Sequence, residues 1–519
     1  MAIIDLFDRG WSANPGGVAY IGGDRSYSFD EIGRLSCRIA NTLLDLGLPD
    51  ETKGAVLAGN DPIAWACVLG LWRAGFAWVP VNARNSVAAN LDVLDNFDCE
   101  VLFFQAAFEP VIEQLKAALP KIKQWICVES ASAGSPSLEE WIDGQPEVAP
   151  VIEHRPDGVV AVTATGGTTG RPKGVMNTNR SLQTFAVNFM INCSYRADEP
   201  VVNLAAAPMT HTAGILSLPC TARGGTVVIL TKPEPTALLD AIEQHGVTEL
   251  FLPPTVIYRL LGEPGLADRD LSSLKYFISG AAPLSVEKLK QAIAVFGPVM
   301  MQGYGQTEAP ASIAMLRPEE YLVDGRPADD RRLSSCGRPT PTVRLAIRDE
   351  SGTTTLPTGR QGEICVSGDL VMKGYYNDPE QTAAAIVDGW LHTGDIGYLD
   401  AEGYLHITDR CKDMIITGGF NVYPSEVEQV IWTHPAVRDC SVIGVPDDEW
   451  GEAVKAVVEL HPGEAVDTAA LITLCKEKLG NVKAPKSIDV VATLPRSPVG
   501  KVLKTELRAQ YWRDHDRRI

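Results

Sequence analysis

Several signals that would place a chain in a familiar class are missing from this sequence. Its 11 cysteines form no Cys-x-x-Cys pair and no Cys/His cluster of metal-ligand spacing, which sets aside a disulfide scaffold and a zinc module and fits a reducing compartment. No apolar run is long enough to cross a bilayer unbroken. The most hydrophobic stretch, 64 to 81, is interrupted by Arg73 and carries Gly70, Gly75 and Pro80, so it reads as a buried helix followed by a strand. The opening MAIIDLFDRG has acids where a signal peptide needs a basic start, and a cytoplasmic location is expected. Basic residues are in deficit: 46 Lys and Arg against 65 Asp and Glu give a net charge of −19. The average surface therefore repels nucleic acid and anionic lipid, and an anionic ligand needs a local basic site.

What is present is the composition of a globular protein. At 519 residues, with 45% hydrophobic and 21% charged, the chain has room for about three folding units. A Ser-x-x-Glu pattern at Ser28 and Glu31 opens a segment with Ile32, Leu35, Ile39, Leu43 and Leu46 at helical spacing, and Gly47 supplies a stop. Short apolar runs at 101–104, 159–165, 201–207 and 225–230 alternate with helical patterns such as the one from Thr236. This alternation predicts an α/β fold of mostly parallel sheets covered by helices. The charge-dense stretch 317–332 reads as a solvated loop. After Asp409 the texture changes to a glycine-bearing turn, a second Ser-x-x-Glu cap at Ser425 and Glu428, short strands, and helices from Asp467 and near Val502. The expected organisation is a large N-terminal domain, 1–411, and a small α+β C-terminal domain, 412–519.

Residues 159–174, VVAVTATGGTTGRPKG, set an apolar strand before a Thr/Gly-rich turn that ends in Lys173. Glycines let backbone N–H groups approach an oxyanion, the hydroxyls of Thr165, Thr168 and Thr169 can donate to it, and Lys173 adds charge. A Walker A pattern cannot be laid over the segment. Spacing alone goes as far as a generic phosphate cradle, with an ordinary surface turn as the competing reading. Further on, Gly303-Tyr-Gly-Gln-Thr-Glu308 offers an aromatic face for a purine, a hydroxyl for phosphate and a carboxylate for a hard cation.

The first of these segments resembles the signature of the adenylate-forming superfamily, which includes acyl-CoA synthetases, nonribosomal adenylation domains and firefly luciferase. The usual form is Thr-Ser-Gly-Thr-Thr-Gly-x-Pro-Lys-Gly; here Gly166 stands where serine is usual, and one hydroxyl is lost. Further matching segments follow in the family's order and cover nearly the whole chain. The resemblance implies that Thr165, Gly167, Thr168, Thr169, Gly170 and Lys173 cradle ATP phosphates. It places Gly280, Ala281 and Ala282 on the adenine side, packs Tyr304 on adenine, and keeps Gly305 and Gln306 in the nucleotide-binding stretch. Thr307 then meets the α-phosphate, and Glu308, with Thr168, serves Mg²⁺. Asp395, in Trp390-Leu-His-Thr-Gly-Asp395, is similar to the ribose ligand, and Arg410 to a second ribose or phosphate contact. On the acyl side, His211 resembles the histidine of a Pro-x-x-His segment that lines the carboxylate pocket, beside Gly303, Gly305 and Ala309. Lys412 matches a hinge, which implies a mobile small C-terminal domain, Gly418 and Gly419 match the loop beside the thiol channel, and Lys501 matches the lysine that enters during adenylation.

The resemblance implies an ATP- and Mg²⁺-dependent ligase that joins a small carboxylic acid, fatty or aromatic, to CoA through an acyl-adenylate. No Gly-x-Ser-x-Gly elbow or placeable Cys/His pair offers an acyl-enzyme route. A carrier protein in place of CoA is the nearest rival. A nucleotide sensor without turnover is a further one, disfavoured by the joint presence of Glu308, Asp395, Arg410 and Lys501. The exact acid and the oligomeric state, a homodimer among the options, are not legible.

Overall fold

Ser28 and Glu31 begin the first long helix as their spacing predicts. Ser28 Oγ accepts the Glu31 N–H at 3.1 Å, Glu31 Oε2 accepts the Ser28 N–H at 2.7 Å, and the helix Phe29–Asp45 follows. Its buried face, including Ile32, Ile39 and Leu43, packs on the helix Pro62–Arg73. That second helix is apolar all round because it is buried on every side. Trp65, Trp72 and, on the following strand Ala77–Pro80, Trp78 meet edge to face with centroids 5.5 to 5.9 Å apart. The Trp65 indole N–H donates to Tyr20 at 3.1 Å, and that of Trp72 to the Val160 carbonyl at 2.8 Å. Arg73, which interrupts the apolar run, is itself buried and pairs with Asp8 at 2.5 Å. Among the described residues no helix is long and apolar enough to cross a membrane. None of the ten described cysteines is in a disulfide, and all ten are buried.

This architecture comes from a computed structural model that describes residues 2–165, 172–282, 284–410, 413–417, 420–447, 450–497 and 501–512. Two predominantly parallel sheets dominate it. In the first, the strands Met300–Gln306, Tyr276–Ser279, Glu249–Leu252, Val202–Ala205, Thr226–Ile229 and Val18–Gly22 run parallel in that order. Antiparallel strands Ala309–Leu316 and Arg25–Ser28 flank them. In the second, Val159–Thr165, Ala77–Pro80, Lys53–Leu57, Cys99–Phe104 and Gln124–Cys127 are parallel. Lys173–Thr178 and Gly374–Tyr375 close one edge antiparallel. The α/β expectation holds for these sheets. A third sheet, built from Arg344–Arg348, Gly362–Ser367, Ile386–Val387, Trp390–Leu399 and Leu405–Arg410, is wholly antiparallel.

The C-terminal strands Ile415–Thr417, Phe420–Val422, Val437–Asp447, Gly451–Leu460 and Ser487–Val491 form a separate sheet. The helices Pro424–Ile431 and Thr468–Lys483 cover it around a core of its own that includes Val427, Val442, Val454 and Leu471. Two local expectations fail here and in the large domain. Ser425 is not a cap: Pro424 starts the helix, Ser425 donates its hydroxyl to the Thr408 carbonyl, and Glu428 is buried against the Val442 N–H and the Lys504 ammonium. Proline tolerates the first helical position, so the helix starts two residues earlier than a cap at the serine would place it. The 317–332 stretch is not simply solvated either. Tyr321 is fully buried, and buried Glu320 takes bonds from Arg317, Arg338 and Tyr404.

Candidate active site

The strand Val159–Thr165 and the strand Lys173–Thr178 form a hairpin in which Thr165 faces Lys173. The loop at its tip, with Gly166, Gly167, Thr168, Thr169 and Gly170, lies outside the described residues. Lys173 does not point into open solvent. Its ammonium sits 5.1 Å from the centre of the Tyr375 ring, and the Tyr375 hydroxyl donates to Glu308 Oε1 at 2.9 Å. Backbone bonds draw the same elements together. The Met372 N–H donates to the Glu308 carbonyl at 2.8 Å, and Asn177 Nδ2, from the Lys173 strand, donates to the Thr307 carbonyl at 3.3 Å. Two motifs far apart in sequence thus form one corner containing a cation and a carboxylate.

A second corner joins Tyr304 and Asp395. Both are buried, and the Tyr304 hydroxyl donates to Asp395 Oδ2 at 2.7 Å. Burial and then the Asp395 charge push the Tyr304 phenol well above its ordinary range, so it stays a donor. Asp395 is held by its own strand: its N–H donates to Thr393 Oγ1 at 3.1 Å, and that hydroxyl donates to the Ile364 carbonyl at 2.6 Å. Glu363 Oε1 accepts the Gly394 N–H at 3.0 Å, and Oε2 lies 2.7 Å from His392 Nδ1. Directly across the antiparallel pair from Asp395 is Arg410, whose side chain lies outside the described residues.

The glycines of the Tyr304 strand are required by packing. The register slips between Tyr304 and Gln306, and a Cβ on Gly305 would stand 2.4 Å from the Ala311 nitrogen. Gly280 follows the strand Tyr276–Ser279, and a Cβ there would meet the Gly303 carbonyl at 3.1 Å and the Phe251 ring at 3.3 Å. Ala281, next along, is exposed with φ +69°, and Ala282 is half-buried. These residues sit at the carboxyl ends of parallel strands, where open α/β sheets present crevices to ligands. On the apolar side, Phe251 lines a small cavity with Ala205, Ala213 and Leu216. Ala213 ends the π-helical turn Met209–Ala213 that carries His211, whose side chain lies outside the described residues. Phe185 and Phe189 are a buried pair with centroids 4.8 Å apart, and Ala309 is fully buried.

The chain matches the AMP-binding enzyme family over residues 7–376 and the AMP-binding enzyme C-terminal domain over 426–501. It belongs to the AMP-binding, adenylate-forming enzymes. It is similar to the medium/long-chain-fatty-acid–CoA ligase FadD8 of Mycobacterium tuberculosis, 41% identical over 382 residues, which is 72% of this chain and 65% of that protein. It is also similar to the feruloyl-CoA synthase of Amycolatopsis sp, 34% identical over 500 residues and 96% of each chain. Among solved structures it resembles the amide bond synthetase McbA from Marinactinospora thermotolerans, with TM-score 0.89 and 32% identity over 98% of this chain and 100% of that one.

In this member of the AMP-binding enzymes, the remaining sequence-predicted positions are on the C-terminal unit. Lys501 is exposed, its N–H donates to Ser497 Oγ at 3.2 Å and its carbonyl accepts the Ser497 N–H at 2.7 Å. Lys504 pairs with Glu428 at 2.9 Å. Lys412, Gly418 and Gly419 lie outside the described residues. Sequence reasoning missed Tyr375, Thr393 and the site-facing part of Glu363. Only the nearness of Thr393 and Glu363 to recognised motifs offered a signal, and Tyr375 had none.

Proposed function

We propose that this chain activates a carboxylic acid with ATP, releases pyrophosphate, and passes the acyl group from the resulting acyl-adenylate to the thiol of CoA. The convergence of Tyr304 with Asp395, beside the corner formed by Lys173 and Glu308, carries this reading. It supplies an aromatic and a carboxylate suited to adenosine next to a cation and a carboxylate suited to polyphosphate and a metal. A carboxylate oxygen attacks the α-phosphorus, the bond to the bridging oxygen breaks, and pyrophosphate leaves. The thiolate then attacks the acyl carbon and AMP leaves with both electrons of the anhydride bond.

The chain contributes position and charge to these steps. Asp395 accepts from the ribose hydroxyls with Arg410 beside it, Tyr304 and the 280–282 turn flank the adenine, and Thr307 meets the α-phosphate. Thr165, the loop that follows it and Lys173 donate to the outer phosphates. Lys501, brought in by the C-terminal unit, neutralises charge between carboxylate and phosphate. The oxygen donors fit Mg²⁺: with Glu308 Oε1 taken by Tyr375, Oε2 is the oxygen left for a hard cation, and Thr168 is the second ligand. When bound, Mg²⁺ supplies charge neutralisation on the phosphates. His211, Gly303, Gly305 and Ala309 border the acyl group, and Phe185, Phe189 and Phe251 favour a fatty or aromatic one. A large domain, 1–411, and a small one, 412–519, turn about Lys412 between the two half-reactions, bringing Gly418 and Gly419 to the thiol channel. The ten described cysteines, buried and outside any disulfide, support a reducing, cytoplasmic setting.

Pyrophosphate release tests this reading across short, medium, long and aromatic acids, with and without CoA. Release with at least one acid, and CoA-dependent loss of the adenylate, is the expected outcome. No release with any acid would sink the ligase reading. Release without thioester formation would move the acceptor from CoA to another nucleophile.

A further inference from the structure

Between Lys173 and Glu308 lies a side chain to which the reaction scheme gives no part. Tyr375 belongs to the short strand Gly374–Tyr375 and pairs with Val175, two residues along from Lys173. Its backbone is fastened on several sides. The Tyr375 N–H donates to Thr382 Oγ1 at 2.8 Å, Tyr376 N–H to the Gly174 carbonyl at 2.7 Å, and Lys373 N–H to the Met176 carbonyl at 2.9 Å. The ring is therefore placed by the sheet edge and not by the two charges it touches. One face carries the Lys173 ammonium at 5.1 Å, and the hydroxyl donates to Glu308 Oε1 at 2.9 Å.

An ammonium and a carboxylate this close to one neighbour would ordinarily find each other, and a direct pair would quench both. No ion pair joins Lys173 to Glu308. The ring gives the lysine a weak cation–π partner and the glutamate a neutral donor, so both charges stay available to a ligand.

We propose that Tyr375 is a positioning residue of the metal–phosphate corner: its hydroxyl fixes the Glu308 carboxylate with Oε2 left for the cation, and its ring keeps the Lys173 ammonium apart from Glu308. This rests on the adenylating reading of the site. Hydrogen-bond partners of ligating carboxylates typically change metal affinity by about tenfold or more when removed.

The test is calorimetric ATP binding to the full chain over a range of Mg²⁺ concentrations, with thermal stability recorded alongside. Tyr375→Phe keeps the ring and loses the hydroxyl. It should raise the half-saturating Mg²⁺ by about tenfold while metal-free ATP affinity and thermal stability stay at the parent values. Tyr375→Leu should show the same Mg²⁺ shift and also lose metal-free ATP affinity, because Lys173 is no longer held away from Glu308. The proposal is overturned if Tyr375→Phe keeps the parent's Mg²⁺ dependence, if it loses metal-free affinity and stability together, or if the parent binds ATP without regard to Mg²⁺. None of these readouts needs an acid substrate. Mg²⁺-dependent ATP binding by the parent without pyrophosphate release would therefore sink the ligase reading and leave the Tyr375 result standing.

Discussion

Lys501 is the residue on which the proposed division of labour turns. It is exposed, its N–H donates to Ser497 Oγ at 3.2 Å, and Leu494 and Leu507, near it along the chain, belong to a core separate from the one that includes Tyr304. A role in adenylation alone makes its two half-reactions separable. Lys501→Ala should cut acid-dependent pyrophosphate release by about 100-fold, a common cost of removing one group that neutralises developing charge, while CoA-dependent consumption of preformed acyl-adenylate survives. Equal loss in both half-reactions would remove the assignment. At this scale the sequence was informative where chemistry is written in contiguous motifs. Tyr304 and Asp395 were each picked out from their own segments, and the structure sets them 2.7 Å apart. Tyr375 could not be picked out, because its two partners come from segments far from it along the chain and no local pattern records that meeting.

Elements carry a different kind of information. The helices from Ser28 and Asp467 were legible because their caps are local: a side-chain oxygen accepts an N–H two or three residues on. The cap proposed at Ser425 failed because Pro424 and the contact to Thr408 override the same pattern. The third sheet was illegible for a different reason: its antiparallel strands run from two to ten residues, and the short helix Pro379–Ala385 is the one helix that falls among them. Gly337 shows how such elements are joined. Its carbonyl accepts the Leu405 N–H at 2.8 Å, and the adjoining Arg338 pairs with Met315, so it links the strand after Glu308 to the sheet that carries Asp395. It has φ +79°, and a Cβ would stand 1.9 Å from the Met315 carbonyl oxygen. Gly337→Ala should therefore cost at least about 3 kcal/mol of stability, combining left-handed strain with a backbone clash. A urea midpoint unchanged from the parent would show that the junction yields without cost.

For the whole molecule, the net charge of −19 constrained less than it first suggests. It speaks against a diffuse nucleic-acid surface, yet it is compatible with a lysine held over Tyr375 at the proposed phosphate corner. Acids matter more where they are buried. Glu249 starts the strand Glu249–Leu252, at the opposite end of the sheet from Gly280 and Tyr304, and is almost wholly buried. Tyr195 and Asn203 donate to its two oxygens at 2.9 and 3.1 Å, and Arg223 is the cation nearby. Burial outweighs these partners and raises its carboxyl above the ordinary value of 4.5. The folded chain therefore holds this proton more tightly than the unfolded one. Its stabilising effect is complete below the ordinary carboxyl range and is lost as pH rises toward the folded-state value. Glu249→Gln removes the ionisation and keeps a hydrogen-bonding side chain. The variant's urea midpoint should exceed the parent's at neutral pH, and the gap should close as pH falls toward 4.5. Pyrophosphate release should be unaffected, since the residue sits away from the site. A gap of constant size at every pH would mean that packing, and not the proton, sets the cost of this buried acid.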